Sequence, residues 1–214
     1  MEGQEIQMPE ILECSSVEMV INEAVSNDLD IVNCRFKGCY EAHIDTYNIE
    51  FNKCEFIGTI CLNARFNKVT FSNVMFEDCD FSNTDFSECN FLNTTFKNCK
   101  LVGCNFTNSH IYNSIFNDSS LSYSNMSLSN FKDVQFNTCK LSNACIQEAA
   151  LKNVEFNYSN LIGAQLYRTD LNNIDFSTCD ITGIVVMPQD LRGMIVDEYQ
   201  AIELARLLGL VIKE

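Results

Sequence analysis

Turn-forming residues are scarce in this 214-residue chain, which contains only 8 glycines, 2 prolines and no tryptophan. An ordinary β-protein of this size would need many more such residues to separate its strands. Either the chain is mostly helical or its corners are made by other residues. Asn and Ser are abundant in the sequence, and both occupy turns readily. The composition therefore hints at a fold with many small corners.

Long apolar runs and a basic N-terminus are also missing. No stretch of about 18 apolar residues, the length that crosses a bilayer, occurs in the sequence. The first ten residues, MEGQEIQMPE, carry acids where a signal peptide has basic residues. We therefore expect a cytoplasmic protein without a membrane segment.

A five-residue repeat occupies most of the chain. From Phe51 to Leu191, large apolar residues recur at nearly every fifth position, and all 16 phenylalanines share this register. Small residues recur two positions earlier, as in the series Cys79, Thr84 and Cys89. Neither the helix period of about 3.6 nor the strand period of about 2 gives this pattern. The chain must therefore bend once in every unit.

A second period, of 20 residues, is superimposed on the first. Eight phenylalanines recur at this interval, namely Phe36, Phe56, Phe76, Phe96, Phe116, Phe136, Phe156 and Phe176. Four units therefore complete one turn of a four-sided solenoid, with about eight coils stacked about 4.8 Å apart. At that spacing the rings stack, and Asn73, Asn93 and Asn113 form a corner column, since Asn tolerates the left-handed conformation. The predicted fold class is all-β, a quadrilateral β-helix.

The units resemble those of the pentapeptide-repeat family from about Asp30 to Leu191. Segments such as CDFSN, TDFSE, CNFLN and TTFKN are similar to its consensus of small, polar, large, polar and turn residues. The resemblance implies a right-handed quadrilateral β-helix, in agreement with the period of 20.

Residues with catalytic or metal-binding chemistry are few or lie at inward positions. Ten of the 12 cysteines fall on inward positions and no C-x-x-C pair occurs, so we interpret them as compact apolar fillers. His43 and His110 stand alone, and there is no glycine-rich phosphate loop. A filled solenoid also lacks the cavity in which most enzymes work. We expect a protein that is not an enzyme and holds no cofactor or metal.

The repeat is bounded by two segments that do not follow it. Residues 1–30 are predicted to form an N-terminal cap with a short helical turn after Pro9, followed by the β-helix over residues 31–192. Within the repeat, the register fails once, where Glu41 and Thr46 fall on large inward positions. This segment is interpreted as a distorted half-coil or a small outward excursion. Because an unpaired buried carboxylate is costly, we expect Glu41 to turn outward to solvent.

Residues 193–214 are predicted to form a C-terminal helix and dimerisation module. Asp197 is a suitable N-cap and Gly209 a suitable C-terminal stop. More apolar residues lie between and after them than one cap requires, which favours a homodimer through this segment. The predicted interface residues are Tyr199, Ala201, Ile202, Leu204, Ala205, Leu208, Leu210 and Ile212.

This segment narrows the resemblance to one branch of the family. Its residues Asp197, Tyr199, Gln200, Ala201, Leu204, Leu208, Gly209, Leu210 and Ile212 resemble the C-terminal module of Qnr-type quinolone-resistance proteins and their mycobacterial relative. The resemblance implies two bacterial solenoids joined end to end, which bind DNA gyrase or topoisomerase IV by imitating duplex DNA. The unbroken register from Phe51 to Leu191 leaves no room for the projecting loops of some Qnr proteins, so the chain is similar to the loopless type.

The net charge of −15 argues against nucleic acid as a direct ligand, because phosphate binding needs a basic surface. Residues 1–30 hold eight acids and no bases, whereas residues 31–190 have a net charge of only −6. A duplex as long as the solenoid, about 39 Å, would carry about 23 negative charges. Imitation of DNA must therefore be confined to some faces.

Two acidic clusters are candidates for such a face. They comprise Glu77, Asp78, Asp80, Asp85 and Glu88 in one coil, and Asp170, Asp175, Asp180 and Asp190 near the C-terminal end. Solubility alone would also place acids at outward positions. Two functions therefore stay open: a DNA mimic that modulates a type II topoisomerase or protects it from quinolones, and a generic protein-interaction scaffold without that role.

Overall fold

A computed structural model describes residues 11–41 and 44–213 and shows the quadrilateral β-helix that the period of 20 predicts, with the right-handed coil that the resemblance implies. Each five-residue unit forms one side of the coil, and we number the walls in chain order. Wall 1 contains Ile31 and Phe51, wall 2 Phe36, wall 3 Glu41, and wall 4 Thr46, each with the residues 20 positions further on. Walls 2 and 4 are therefore opposite each other.

Each corner is made by the residue two positions after the inward one. Nearly all described corner residues up to Asn173 have positive φ, for example 56° at Asn73, 54° at Asn93 and 50° at Asn113. Asn reaches this left-handed region at low cost. The Asn93 side chain also donates to Asn73 Oδ1 (3.1 Å) and Asn113 to Asn93 Oδ1 (3.3 Å). Asn at a spacing of 20 residues thus replaces the missing glycine and proline.

Parallel strands line walls 1 and 2, whereas walls 3 and 4 are held mainly by isolated bridges. Wall 1 contains β2 (Ile31–Val32), β6 (Glu50–Asn52), β10 (Thr70–Ser72) and β12 (Asn90–Leu92). Wall 2 contains β1 (Leu12–Cys14), β3 (Cys34–Lys37), β7 (Glu55–Ile57), β11 (Met75–Glu77) and β13 (Thr95–Lys97). Strands β14 (His110–Asn117), β15 (Asn130–Asn137) and β16 (Ala150–Asn157) cover both walls. Wall 3 has β4 (Tyr40–Glu41) and β8 (Ile60–Cys61), and wall 4 has β5 (Asp45–Tyr47) and β9 (Arg65–Asn67).

The eight phenylalanines of wall 2 form a continuous buried stack. Seven full turns separate Phe36 from Phe176, and every ring stacks on the next, with centroids 4.5 Å apart for Phe76 and Phe96 and 5.3 Å apart for Phe156 and Phe176. The distance between stacked rings is close to the distance between hydrogen-bonded strands, about 4.8 Å. The rings and the backbone hydrogen bonds of wall 2 therefore favour the same spacing between turns.

Small inward residues satisfy carbonyl groups inside the coil. The Thr59 hydroxyl donates to the Phe36 carbonyl (2.9 Å), and Ser109 does the same for Phe86 (2.8 Å). The Cys104 thiol likewise donates to the Phe81 carbonyl (3.0 Å). A column of small polar residues is therefore compatible with a buried position, because each member has a partner.

The N-terminal end is closed by β1 and by helix α1 (Val17–Asn27), for which Ser16 is the N-cap. The predicted turn directly after Pro9 falls partly outside the described residues, and the helix begins further along, at Val17. The expectation that Glu41 turns outward is wrong, since it is 8% exposed. Its carboxylate accepts hydrogen bonds from Val17 N (2.7 Å) and Ser16 Oγ (2.8 Å) at the start of α1. A helix N-terminus stabilises such a carboxylate.

The predicted break in the repeat at Glu41 and Thr46 does not occur in the described residues. Glu41 pairs with Cys61 and Thr46 with Phe66, and Thr46 is also buried, so neither an outward excursion nor a distorted half-coil forms in the described residues of this turn. Ala42 and His43 lie outside the described residues.

The C-terminal end is closed by a 3-10 turn (Pro188–Leu191) and by the predicted helix, α2 (Glu198–Leu207). Asp197 caps α2 by accepting from Gln200 N (2.8 Å). The Gln200 amide then donates to the carbonyls of Phe176 (2.9 Å) and Cys179 (2.8 Å). These donors replace the ones that a next turn would supply. No helix in the described part of the chain is long and apolar enough to cross a membrane.

Candidate functional site

Outward side chains five residues apart in sequence lie on different walls, whereas those 20 residues apart are neighbours on one wall. The first predicted cluster is therefore not brought together. Glu77 and Asp78 lie on wall 2 and its corner, Asp80 on wall 3, and Asp85 and Glu88 on wall 4 and its corner.

Three acids of this first cluster are also neutralised by bases one turn away. Lys97 pairs with Glu77 (2.6 Å), Lys100 with Asp80 (3.4 Å) and Lys68 with Glu88 (3.4 Å). Burial raises the pKa of Asp80, but hydrogen bonds from Ser82 and the nearby Lys100 outweigh it and leave the pKa below its usual value.

The second predicted cluster is also divided among walls. Asp170 and Asp190 lie on wall 1, Asp175 on wall 2 and Asp180 on wall 3. Several of these side chains hold corners: Asp175 Oδ1 accepts from Ser177 N (2.8 Å) and Asp180 Oδ1 from Thr182 N (3.0 Å). Hydrogen bonds from Ser177 lower the pKa of Asp175. Local backbone geometry therefore explains part of this cluster.

A different acidic surface runs along the solenoid axis. We define the acidic wall as wall 2 with its two corner columns from Glu77 to Asp175. Its exposed acids without an ion pair are Asp78, Asp118, Asp133, Glu155 and Asp175. Lys97, which pairs with Glu77, is the only base on this surface, so its net charge is −5. Asp118, Asp133 and Glu155 were missed by reading clusters along the sequence, whereas the 20-residue period would have found them.

Side chains on the acidic wall are hydrogen-bonded to one another along the solenoid axis. Asn137 Nδ2 donates to Asn117 Oδ1 (2.8 Å) and Asn157 Nδ2 to Asn137 Oδ1 (2.9 Å), along strands β14 to β16. Asp133 at the corner accepts from Asn153 (2.8 Å). Asn98 likewise donates to Asp78 (2.7 Å), so two of the acids are held in place by amides one turn away.

In the C-terminal half of the solenoid, the opposite wall carries no charge at its outward positions, and the two charges in its corner column, Arg168 and Glu148, form an ion pair with each other (3.0 Å). We define the uncharged wall as the outward positions of wall 4 from Asn105 to Met187, none of which carries a charge. Tyr123 and Leu128 stand at its corners with φ of 61° each, although large side chains rarely adopt this conformation. Both side chains are exposed. Strained, exposed and bulky residues favour a contact role over a role in folding.

Most of the predicted dimer residues lie in an exposed apolar surface at the C-terminal end. Tyr199, Ala201, Ile202, Leu208, Leu210 and Ile212 are exposed, and Ala205 is half-buried. Leu204 is the exception, because it is buried against its own solenoid. Of 21 exposed large hydrophobic side chains among the described residues, ten lie in 185–212, which concentrates unpartnered apolar surface at this end.

The ten inward cysteines are buried, while Cys14 and Cys145 are half-buried. Burial raises the pKa of Cys54 to about 11 and that of Cys139 to about 12, which disfavours the reactive thiolate. Over residues 11–41 and 44–213, no group of three or more His, Cys, Asp or Glu side chains could hold a metal ion.

His110 lies on wall 1, with its Nδ1 near the Asn130 amide (3.2 Å) and the Tyr112 hydroxyl (3.3 Å). His43 lies outside the described residues.

Comparison with known proteins identifies the repeat. The family model "Pentapeptide repeat region" matches residues 29–101, 48–126, 90–161 and 129–203. No curated protein sequence matches the chain.

Solved structures with related coils include a trypsin-treated variant of QnrB1, a plasmid-mediated fluoroquinolone resistance protein. It is 18% identical over 85% of this chain and 90% of that chain, with a TM-score of 0.45. HetL, a pentapeptide repeat protein involved in heterocyst differentiation regulation in the cyanobacterium Nostoc, is 11% identical over 86% and 87%, with a TM-score of 0.27. The family match spans most of the sequence, and the chain belongs to the pentapeptide-repeat family.

Proposed function

We propose that the protein is a cytoplasmic, non-enzymatic DNA mimic that binds a type II DNA topoisomerase, DNA gyrase or topoisomerase IV. The observation that carries this proposal is the acidic wall, a column of outward acids of which only Glu77 is in an ion pair. A basic DNA-binding surface attracts such an array as it attracts phosphates. Binding there would modulate the enzyme and limit access of quinolones to it.

The charge density supports a local imitation of DNA. Five turns from Glu77 to Asp175 span about 24 Å, over which a duplex carries about 14 charges on all sides. One side of that duplex presents about half of them, about seven. The acidic wall has a net charge of −5 over the same length, which is comparable, whereas the whole solenoid is far less charged than DNA.

Dimerisation would extend the mimic. The exposed apolar surface at the C-terminal end favours two copies joined end to end, as in the homodimer that the sequence predicts. A symmetric pair places two acidic walls along one rod, and so doubles the length over which a topoisomerase could be engaged.

A second candidate is a protein-interaction scaffold without a topoisomerase role. The uncharged wall favours it, because Tyr123 and Leu128 are held there in costly backbone conformations and are exposed. A partner on this side would be recognised through apolar and amide contacts and would bind with little salt dependence.

The test is gyrase supercoiling with and without a fluoroquinolone, titrated with the protein. Asp118→Lys/Glu155→Lys reverses two unpaired charges on the acidic wall. Glu23→Lys/Glu50→Lys makes the same change in net charge on α1 and wall 1. We expect about tenfold loss of potency for the first variant, a difference of about 1.4 kcal/mol, and about unchanged potency for the second.

Equal loss for both variants would indicate a non-specific charge effect. No effect of the wild-type protein on supercoiling or drug sensitivity at micromolar concentration would exclude the topoisomerase role and leave the scaffold.

A further inference from the structure

The edge of wall 3 beneath α2 is only half covered. In the turn below, Leu161 N donates to the Asp180 carbonyl (2.7 Å) and Gly163 N to the Thr182 carbonyl (2.9 Å). The equivalent donors in the last turn are the N–H groups of Ile181 and Gly183. Neither has a hydrogen bond to any residue that the structure describes. Gln200 covers the Cys179 carbonyl of this edge, but the donors stay free for another strand.

A groove opens along these free donors. It has a volume of about 430 Å³ and lies between the last turn and α2. Its apolar lining includes Ile181 and Ile184 from the turn and Ile202 and Leu207 from the helix. Ile202 and Leu207 are 38% and 54% exposed, so the groove can bury more apolar surface.

The tail after α2 has the properties of a missing strand. Leu210, Val211 and Ile212 are exposed, Val211 by 90%, and Val and Ile prefer extended structure. The N–H groups of Val211 and Ile212 make no hydrogen bond within the described chain.

The tail does not occupy the groove of its own chain. Helix α2 ends at Leu207, and two hydrogen bonds close its C-terminus: Gly209 N donates to the Arg206 carbonyl (3.0 Å) and Leu210 N to the Ala205 carbonyl (3.2 Å). This Schellman arrangement redirects the chain at the end of α2. None of residues 209–213 lines the groove.

We propose that, in the dimer invoked above, the tail of each copy adds as an edge strand to wall 3 of the other. Carbonyls of the tail accept from Ile181 N and Gly183 N, and its apolar side chains fill the groove. This is recognition by strand addition, in which backbone hydrogen bonds supply affinity and pockets supply specificity.

A second copy fits better than an unrelated peptide because tail and groove lie at the same end of the rod, so that one two-fold axis satisfies both exchanges at once. The side chains that meet are also apolar on both sides, with Leu210, Val211 and Ile212 on the tail and Ile181, Ile184, Ile202 and Leu207 in the groove.

The experiment measures the mass of the full chain in solution by light scattering. Val211→Asp changes a side chain that is 90% exposed in the single chain, so folding should be unaffected. We expect the mass to fall from that of two chains to that of one 24.3 kDa chain. Leu128→Asp is the matched control on a distant corner and should leave the dimer intact. Hydrogen exchange should show the Ile181 and Gly183 amides protected in the dimer and unprotected in Val211→Asp.

A pair of variants with opposite charges then distinguishes this contact from other modes of dimerisation. Ile202→Lys places a base in the groove and should also give a monomer, whereas a mixture of Ile202→Lys and Val211→Asp should form a heterodimer. A dimer that persists in Val211→Asp, or amides that exchange equally in both states, would overturn the strand exchange. A wild-type monomer would remove the dimer as well. Binding through the acidic wall is measured separately in the supercoiling assay, so the two proposals fail independently.

Discussion

At the scale of single residues, the inward positions differ in whether their polar groups have partners. Thr59 is buried and its hydroxyl donates to the Phe36 carbonyl (2.9 Å). Thr46 is also buried, but its hydroxyl has no hydrogen-bond partner in the part of the chain described. Since an unpaired buried polar group is destabilising, the two threonines should respond oppositely to replacement by valine.

We expect Thr46→Val to keep or raise stability, because a methyl group fills the same space without an unsatisfied hydroxyl. Thr59→Val should lower stability by about 1 kcal/mol, because the Phe36 carbonyl loses a donor. Urea unfolding followed by circular dichroism measures both. Equal losses for the two variants would contradict the assignment.

Glu41 is the residue for which physical reasoning from sequence failed. A buried carboxylate is costly only when it has no partner, and Glu41 has two at the N-terminus of α1. The five-residue repeat correctly placed position 41 on the inside of the coil, but the position of α1 could not be predicted from the sequence. The repeat predicts contacts within the coil, but it cannot predict a hydrogen-bond partner that comes from a helix outside the repeat.

We predict that Glu41→Ala destabilises the N-terminal cap by about 2 kcal/mol, since hydrogen bonds to charged groups contribute about 1.5–3 kcal/mol. The loss should appear in the free energy of unfolding and as faster hydrogen exchange in α1. Glu50→Ala, which removes an outward carboxylate without an ion pair, should change stability by less than about 0.5 kcal/mol. Unchanged exchange in α1 of the Glu41 variant would show that these bonds do not hold the cap.

At the scale of elements, the repeat made the walls predictable and the caps largely not. The stack could be predicted from Phe at a spacing of 20 and the turns from Asn at the corners. In both cases the contacts join residues that are 20 positions apart in the sequence. The acidic surface was misjudged for the converse reason, since Asp80 and Asp85 are close in sequence but lie on different walls. Gln200 was known only as part of a resemblance, and its donation to the last turn required coordinates.

The Gln200 side chain donates to two carbonyls of the last turn, and its removal is a direct test of the C-terminal cap. Gln200→Leu keeps an apolar stem of similar size but leaves the carbonyls of Phe176 and Cys179 without their donors. We expect a loss of about 2–3 kcal/mol in the free energy of unfolding, because both acceptors become unsatisfied. Tyr199→Leu, at a 72% exposed position of the same helix, is the control and should have little effect on the monomer. A neutral Gln200→Leu would show that water replaces the amide.

At the scale of the whole molecule, the solenoid carries different properties on different sides. The acidic wall and the uncharged wall face opposite directions, while apolar surface is concentrated at the C-terminal end. These three surfaces can be occupied simultaneously. A rod of this kind could bind a basic partner on one side, a neutral partner on the other and a second copy at its end.

The core is also uneven along the rod, and stability should follow it. In a solenoid each turn contacts only its neighbours, so local composition determines local stability. Phenylalanine fills all four walls from Phe66 to Phe81, and dominates up to Phe106. The first turn instead holds Glu41 and Thr46 at two of its four large inward positions. Each buried phenylalanine contributes about 2 kcal/mol of hydrophobic stabilisation that these residues lack.

We therefore expect unfolding to begin in the first turn and to reach residues 66–106 last. Native-state hydrogen exchange at low urea should show the amides of β11 and β13 exchanging only by global unfolding, while those of β4 and β5 exchange by local opening. Thr46→Val should slow exchange in β5 and leave β16, five turns away, unchanged. Equal protection of β5 and β13 would mean that the solenoid unfolds as a single unit. Ring stacking along wall 2 would then couple neighbouring turns more strongly than the differences in local stability between turns.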